Sequence, residues 1–125
     1  MPRTVMLVDD SSTVRMQATH ALSAAGFRIL EAKDGVEALD KLEALTDDIA
    51  LIVCDVNMPR MSGIELLEAL AARGGARPPI LMLTTEGHPH LIQRAKEHGA
   101  KGWMVKPFRP ELLVAAVCKI AGTGS

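Results

Sequence analysis

Aromatic side chains are nearly missing: one tryptophan, two phenylalanines and no tyrosine in 125 residues. That leaves no platform on which successive bases could stack, and argues against a single-stranded nucleic-acid binder. An excess of either charge is also missing. Fourteen Lys and Arg offset fifteen Asp and Glu for a formal net charge of -1, with no basic run. Nothing electrostatic invites nucleic acid or an anionic membrane. The two cysteines, Cys54 and Cys118, each sit inside an apolar pattern. They read as small buried hydrophobes rather than halves of a disulfide. No apolar stretch approaches the roughly 20 residues of a membrane span. The one in MPRTVMLVDD is too short for a signal peptide. A reducing, cytoplasmic setting is expected.

What is present is 48% hydrophobic residues in a chain near the commonest size of one domain. Apolar runs of strand length alternate with segments of helical period. The runs are Val5 to Val8, Arg28 to Ala32, Ala50 to Cys54, Ile80 to Leu83 and Gly102 to Val105. Ala50 to Cys54 has no polar alternation, as a parallel strand buried on both faces requires. The first helix begins at Ser11 or Ser12 as N-cap, carries Val14, Ala18, Ala21, Leu22 and Ala25, and stops at Gly26. Asp34-Gly35 punctuates before a helix with Val36, Leu39 and Leu42, where Glu37 and Lys41 make a favourable i,i+4 pair. Ser62-Gly63-Ile64-Glu65 is a capping-box pattern opening a third helix, which stops at Gly74-Gly75. Pro89 and Pro110 suit the first turns of two more helices. The last has Leu112, Leu113, Ala116, Val117 and Ile120 as its apolar stripe. Five strand–helix units predict a doubly wound α/β domain over residues 1–121, flavodoxin-like with strand order 2-1-3-4-5, and a short tail over 122–125.

Polar residues follow four of the runs: Asp9 and Asp10, Asp55, Thr84, and Lys106. With parallel strands, all five gather at the carboxyl edge of one sheet, where open α/β sheets place their chemistry. Converging carboxylates repel, and a bound cation removes the penalty. Magnesium suits best: it is hard, keeps several waters, and is held by one or two carboxylates together with a phosphoryl oxygen. A carboxylate beside such an ion can act as a nucleophile, while Lys106 neutralises phosphoryl charge and the Thr84 hydroxyl donates to it.

The stretches VDDSSTVR (Val8 to Arg15), DVNMPRMSG (Asp55 to Gly63), LTTEG (Leu83 to Gly87) and KPF (Lys106 to Phe108) resemble the motifs of response-regulator receiver domains, in order and at the family's spacing. The likeness is greatest to the stand-alone chemotaxis regulators. It implies that Asp55 takes a phosphoryl group from a histidine kinase. It implies Asp10 as a direct Mg2+ ligand, Asp9 acting through metal-bound water, and Asn57 contributing its backbone carbonyl. Thr84 matches the switch hydroxyl, Trp103 the switch aromatic, and Lys106 a lysine whose bond to Pro107 is usually cis. The face of the fourth helix, fifth strand and fifth helix would then bind a downstream protein, such as the flagellar motor switch or a phosphatase. Asn57 and Glu86 lie where the family tunes hydrolysis of the aspartyl phosphate. Trp103 stands where Tyr or Phe is commoner, and Thr85 where a small residue is common. A chain ending after the fifth helix is expected to be a diffusible monomeric messenger, or a relay between kinases, that catalyses only its own phosphorylation and dephosphorylation.

Two enzyme-like or cofactor-binding readings compete. A haloacid-dehalogenase-type phosphatase wants a second acid two residues after the nucleophile, and Asn57 has no carboxylate to act as general acid. A flavodoxin-like mononucleotide binder wants a phosphate loop after the first strand, where this chain has Asp-Asp. His20, His88, His90 and His98 read as surface residues. Met58 and Met61 either pack under their loop or offer a soft partner contact.

Overall fold

The computed structural model describes residues 3–44, 49–58, 60–73, 78–85 and 89–122. Strands and helices alternate throughout: β1 (Thr4–Val8), α1 (Ser12–Ala24), β2 (Arg28–Ala32), α2 (Gly35–Ala44), β3 (Ile49–Asp55), α3 (Gly63–Arg73), β4 (Ile80–Thr84), α4 (Pro89–Glu97), β5 (Gly102–Val105) and α5 (Pro110–Ala121). All strand pairs are parallel, and the sheet runs β2-β1-β3-β4-β5. This is the doubly wound fold expected from the alternation, in the expected flavodoxin-like order.

Side-chain alternation splits the core in two. Met6, Val8, Ile52, Cys54, Ile80 and Met82 face one side, with α2, α3 and α4 over them through Ala38, Leu66, Leu67 and Ala95. Val5, Leu7, Leu51, Val53, Leu81 and Leu83 face the other, under α1 and α5 through Ala18, Leu22, Leu113 and Val117. Successive strand residues point to opposite faces, so continuous apolar strands are what a sheet covered on both sides needs.

Local chemistry sets the helix ends. Ser11, not Ser12, is the N-cap of α1, and its hydroxyl accepts from the Val14 amide. Gly26, at φ 98°, follows the C-cap in the left-handed region. The Ser62–Glu65 capping box forms reciprocally, at 3.1 and 3.0 Å. Lys41 meets Glu37 at 3.3 Å as the spacing predicted. The Gly74-Gly75 stop of the third helix and the tail beyond Gly122 lie outside the described residues.

Leu112 is a correction: it is 51% exposed, not part of the apolar stripe. The buried face of α5 is Leu113, Val117 and Ala121, spaced four apart. Leu112 lies about 100° round the helix from that face. Cys118 is half-buried against the α1–α5 side, whereas Cys54 is fully buried; both are free thiols. Met58 and Met61 pack, half-buried, against the α2–α4 side. Among the described residues, no helix is long and apolar enough to cross a membrane.

The two adjacent leucines of α5 should separate cleanly in urea unfolding. Leu113→Ala is expected to cost about 2–5 kcal/mol, and Leu112→Ala to stay within about 0.5 kcal/mol of the natural chain.

Candidate functional site

The carboxyl edge of the sheet assembles the polar residues. Asp9 follows β1, Asp55 and Thr84 end β3 and β4, and Lys106 follows β5. Register places them side by side: Val8 pairs with Cys54, Asp55 with Leu83, and Thr84 with Val105. The strands at Asp55 and Thr84 run one residue longer than the apolar runs, because backbone pairing continues through the polar residue. Asp9 and Thr84 are fully buried, Asp55 is 5% exposed, and Asp10 is open to solvent. Carboxylate oxygens of Asp9, Asp10 and Asp55 all lie within 4.8 Å of one another.

Each buried carboxylate is held from several directions. Asp9 Oδ1 accepts from the Ser11 amide at 2.9 Å, at the entrance to α1. Its Oδ2 faces the Lys106 ammonium at 2.7 Å and finds no other donor among the described residues. Arg15 donates to the Asp9 carbonyl and pairs with Glu31 at 3.1 Å, tying α1 to β2 behind the site. The same lysine lies 3.4 Å from Asp55 Oδ1. The Asn57 amide donates to the Asp55 carboxylate.

Charge is left over. Three carboxylates cluster beside one ammonium, which pairs only with Asp9 and Asp55, the two with almost no solvent. Burial, and then the neighbouring Asp9 charge, push the Asp55 carboxyl up to about 6, against the pull of Lys106. Burial also pushes the Cys54 thiol up, so it stays protonated, with its sulfur 3.3 Å from the Asp55 carbonyl. A cluster of hard oxygen donors with excess negative charge fits a divalent cation such as Mg2+. The carboxylates of Asp9, Asp10 and Asp55 are the groups that could hold it.

The remaining expected residues are placed as follows. Asn57 is exposed at the start of the β3–α3 loop, and Thr85 is exposed beyond β4. The Lys106–Pro107 bond is cis. Trp103 sits away from the acidic cluster, half-buried on β5 against the α2–α4 side of the core, with its indole nitrogen buried and unpartnered among the described residues. Glu86 and His88 lie outside the described residues. His98 pairs with Glu68 at 3.4 Å, and His20 is exposed.

Two features escaped the sequence reading. A Cβ on Gly63 would stand 2.1 Å from the Asp55 carbonyl oxygen, so only glycine lets α3 start against the end of β3. Asp34 is more than turn punctuation: it is buried, caps α2 through the Glu37 amide, and pairs with Arg60. The Asp34-x-x-Glu37 spacing signals the cap; nothing in the sequence signals Arg60.

The sequence profile described as the response regulator receiver domain matches residues 5–118. The chain therefore belongs to the receiver domain family of response regulators, the signalling proteins of two-component systems. It is 40% identical over 121 residues to the chemotaxis protein CheY1 of Helicobacter pylori, covering 95% of this chain and 97% of that one. A CheY homolog of Campylobacter jejuni is 38% identical over 123 residues, covering 97% and 94%. Among solved structures, the chemotaxis protein CheY4 of Vibrio cholerae superposes with a TM-score of 0.87 at 40% identity, covering 96% of this chain and 99% of that one.

The raised Asp55 carboxyl has a signed consequence. The folded state holds this proton more tightly than the unfolded chain, whose carboxyl titrates near 3.8. Its favourable contribution is complete below that pH and is lost as pH rises through about 6. Asp55→Asn should thus stabilise the metal-free protein at pH 8 by on the order of 2 kcal/mol. The gain should fade toward pH 4, as read by thermal unfolding across that range.

Proposed function

We propose that this chain is a single-domain response regulator of a chemotaxis phosphorelay, working in the cytoplasm as a monomer. It accepts a phosphoryl group on Asp55 from a histidine kinase and carries it as a signal to a downstream protein. The observation that carries the reading is the nearly buried Asp55 carboxylate, set between two acids and one lysine at the sheet's carboxyl edge. The near full-length likeness to chemotaxis CheY proteins supports the setting.

Asp10, Asp55 and the Asn57 carbonyl would hold Mg2+, with Asp9 acting through metal-bound water. When bound, Mg2+ neutralises charge on the transferring phosphoryl group. Asp55 must lose its proton to react, and a cation favours the ionised form. One Asp55 oxygen then attacks the phosphorus of the donor phosphohistidine. The new O–P bond forms as the P–N bond breaks, and the imidazole nitrogen keeps the electron pair and takes up a proton. Lys106, 3.4 Å from Asp55 Oδ1, is placed to pair with a phosphoryl oxygen. The Thr84 hydroxyl donates to another.

The switch runs from Thr84 to Trp103. Trp103 pairs in register with Met82, two residues before Thr84. Thr84 and Trp103 thus share one sheet face on adjacent strands, a diagonal step apart. Movement of Thr84 toward the phosphoryl group frees space beside Trp103 and reshapes the α4–β5–α5 face. That face receives the flagellar motor switch or another output partner, and a phosphatase ends the signal. Asn57 and Glu86 tune the lifetime of the aspartyl phosphate. A relay between two kinases would use the same chemistry. The absence of a second acid at Asn57 speaks against phosphatase turnover.

Intact mass spectrometry after incubation with acetyl phosphate tests the chemistry. One added phosphoryl group is expected with Mg2+, none with EDTA and none in Asp55→Asn. An adduct that persists in Asp55→Asn would place the chemistry elsewhere. Trp103 fluorescence should change together with the adduct and stay constant in Thr84→Ala.

A further inference from the structure

The β3–α3 loop leaves the site at Asn57 and folds back on itself, since the Gly63 amide donates to the Val56 carbonyl at 2.9 Å. Between those ends it crosses to the loop that joins β2 to α2. Arg60 sits there at φ 64°, in the left-handed region that side chains other than glycine seldom occupy. Its guanidinium donates from Nε to Asp34 Oδ2 at 2.9 Å and from Nη2 to Asp34 Oδ1 at 3.0 Å. The Asp34 side chain is 3% exposed and is itself fixed by the Glu37 amide at 2.9 Å. One residue further along each loop, the Gly35 amide reaches the Met61 carbonyl at 3.4 Å. The Met61 side chain also lies so close to Gly35 that a Cβ there would stand 2.7 Å from its Cγ.

A left-handed arginine persists only where its surroundings over-determine it. Here the determinant is a planar fork on a buried, pre-oriented carboxylate, the geometry for which arginine is better suited than lysine. The clamp closes three residues beyond Asn57, on the free side of the loop. The near side is already tied by the Asn57 amide to the Asp55 carboxylate and by the Val56 amide to the Leu83 carbonyl at 3.3 Å. With both sides tied, the Asn57 carbonyl has little freedom left.

We infer that the Arg60–Asp34 pair is a positioning device for the cation site, presetting the Asn57 carbonyl by anchoring Arg60 and Met61 downstream of it. Neither residue touches the cation or the phosphoryl group. The inference rests on the cation reading above and adds where the affinity of that site comes from: outer partners that orient ligands are worth about tenfold or more in metal binding.

Isothermal titration of Mg2+ into the natural chain, Arg60→Gly, Arg60→Lys, Asp34→Asn and the double variant Arg60→Gly/Asp34→Asn tests it. Glycine accepts the left-handed backbone, and asparagine keeps the cap on α2, so both variants retain the fold; thermal unfolding verifies this. The Mg2+ Kd is expected to rise about tenfold in Arg60→Gly and in Asp34→Asn. The double variant should lose no more than either single one, because the two residues act as one unit. Arg60→Lys should recover only part, since it lacks the fork. Phosphorylation by acetyl phosphate at saturating Mg2+ should keep its natural rate, with only the Mg2+ requirement shifted. A Kd within about twofold of the natural value in both single variants would overturn the inference, and so would losses that simply add. A natural chain that binds no Mg2+ would overturn the cation reading and this inference together.

Discussion

Three carboxylates within 4.8 Å of one another are the constraint to which the rest of the molecule answers. Left alone in a folding chain they would separate. They stay together because β1 and β3 are neighbouring parallel strands buried on both faces, so the residues just past their apolar runs have nowhere else to go. Lys106 offsets part of the repulsion from a third strand end. What remains unbalanced is the site's affinity for positive charge. On the proposed reading a cation and a phosphoryl group would be complementary occupants: one would relieve the repulsion, and the other would be attacked by the Asp55 carboxylate.

The scaffold serves this arrangement through close approaches. Gly63 lets α3 begin against the Asp55 carbonyl. Ser11 caps α1, its hydroxyl accepting from the Val14 amide while its own amide donates to Asp9. Arg15 and Glu31 brace the same corner from outside. On the far side of the sheet, Trp103 rests on the core beneath α4 with its indole nitrogen unpaired among the described residues. A buried donor without an acceptor is a small standing cost.

Much of this was legible from residue order because the governing signals are periodic and local. Continuous apolar runs gave away parallel strands, Ser11 and Gly26 bracketed α1, and Ser62 with Glu65 announced α3. The five site residues could be grouped before any coordinate was known, since parallel topology alone sends strand ends to one edge. Leu112 was misplaced because leucine is apolar wherever it stands: the adjacent Leu66 and Leu67 of α3 are both buried, whereas on α5 the buried face through Leu113, Val117 and Ala121 turns Leu112 outward. Arg60 and Asp34 were missed for a different reason. They lie 26 positions apart in two loops, and neither periodicity nor propensity links residues that meet only after the sheet is assembled. Gly63 was seen as part of a cap, while its contact with Asp55 depends on how tightly α3 returns onto β3.

The measurement closest to the central claim is fluorine NMR of the chain with beryllofluoride, a stable mimic of the phosphoryl group on a carboxylate. The account predicts a bound resonance that appears only with Mg2+ and disappears in Asp55→Asn. It also predicts that metal-free samples at pH 8 stay blank, because the acidic cluster repels the anion. A bound signal independent of Mg2+, or one retained in Asp55→Asn, would contradict the assignment of Asp55 as the acceptor. No signal under any condition would leave a receiver fold whose acidic edge does not take a phosphoryl group.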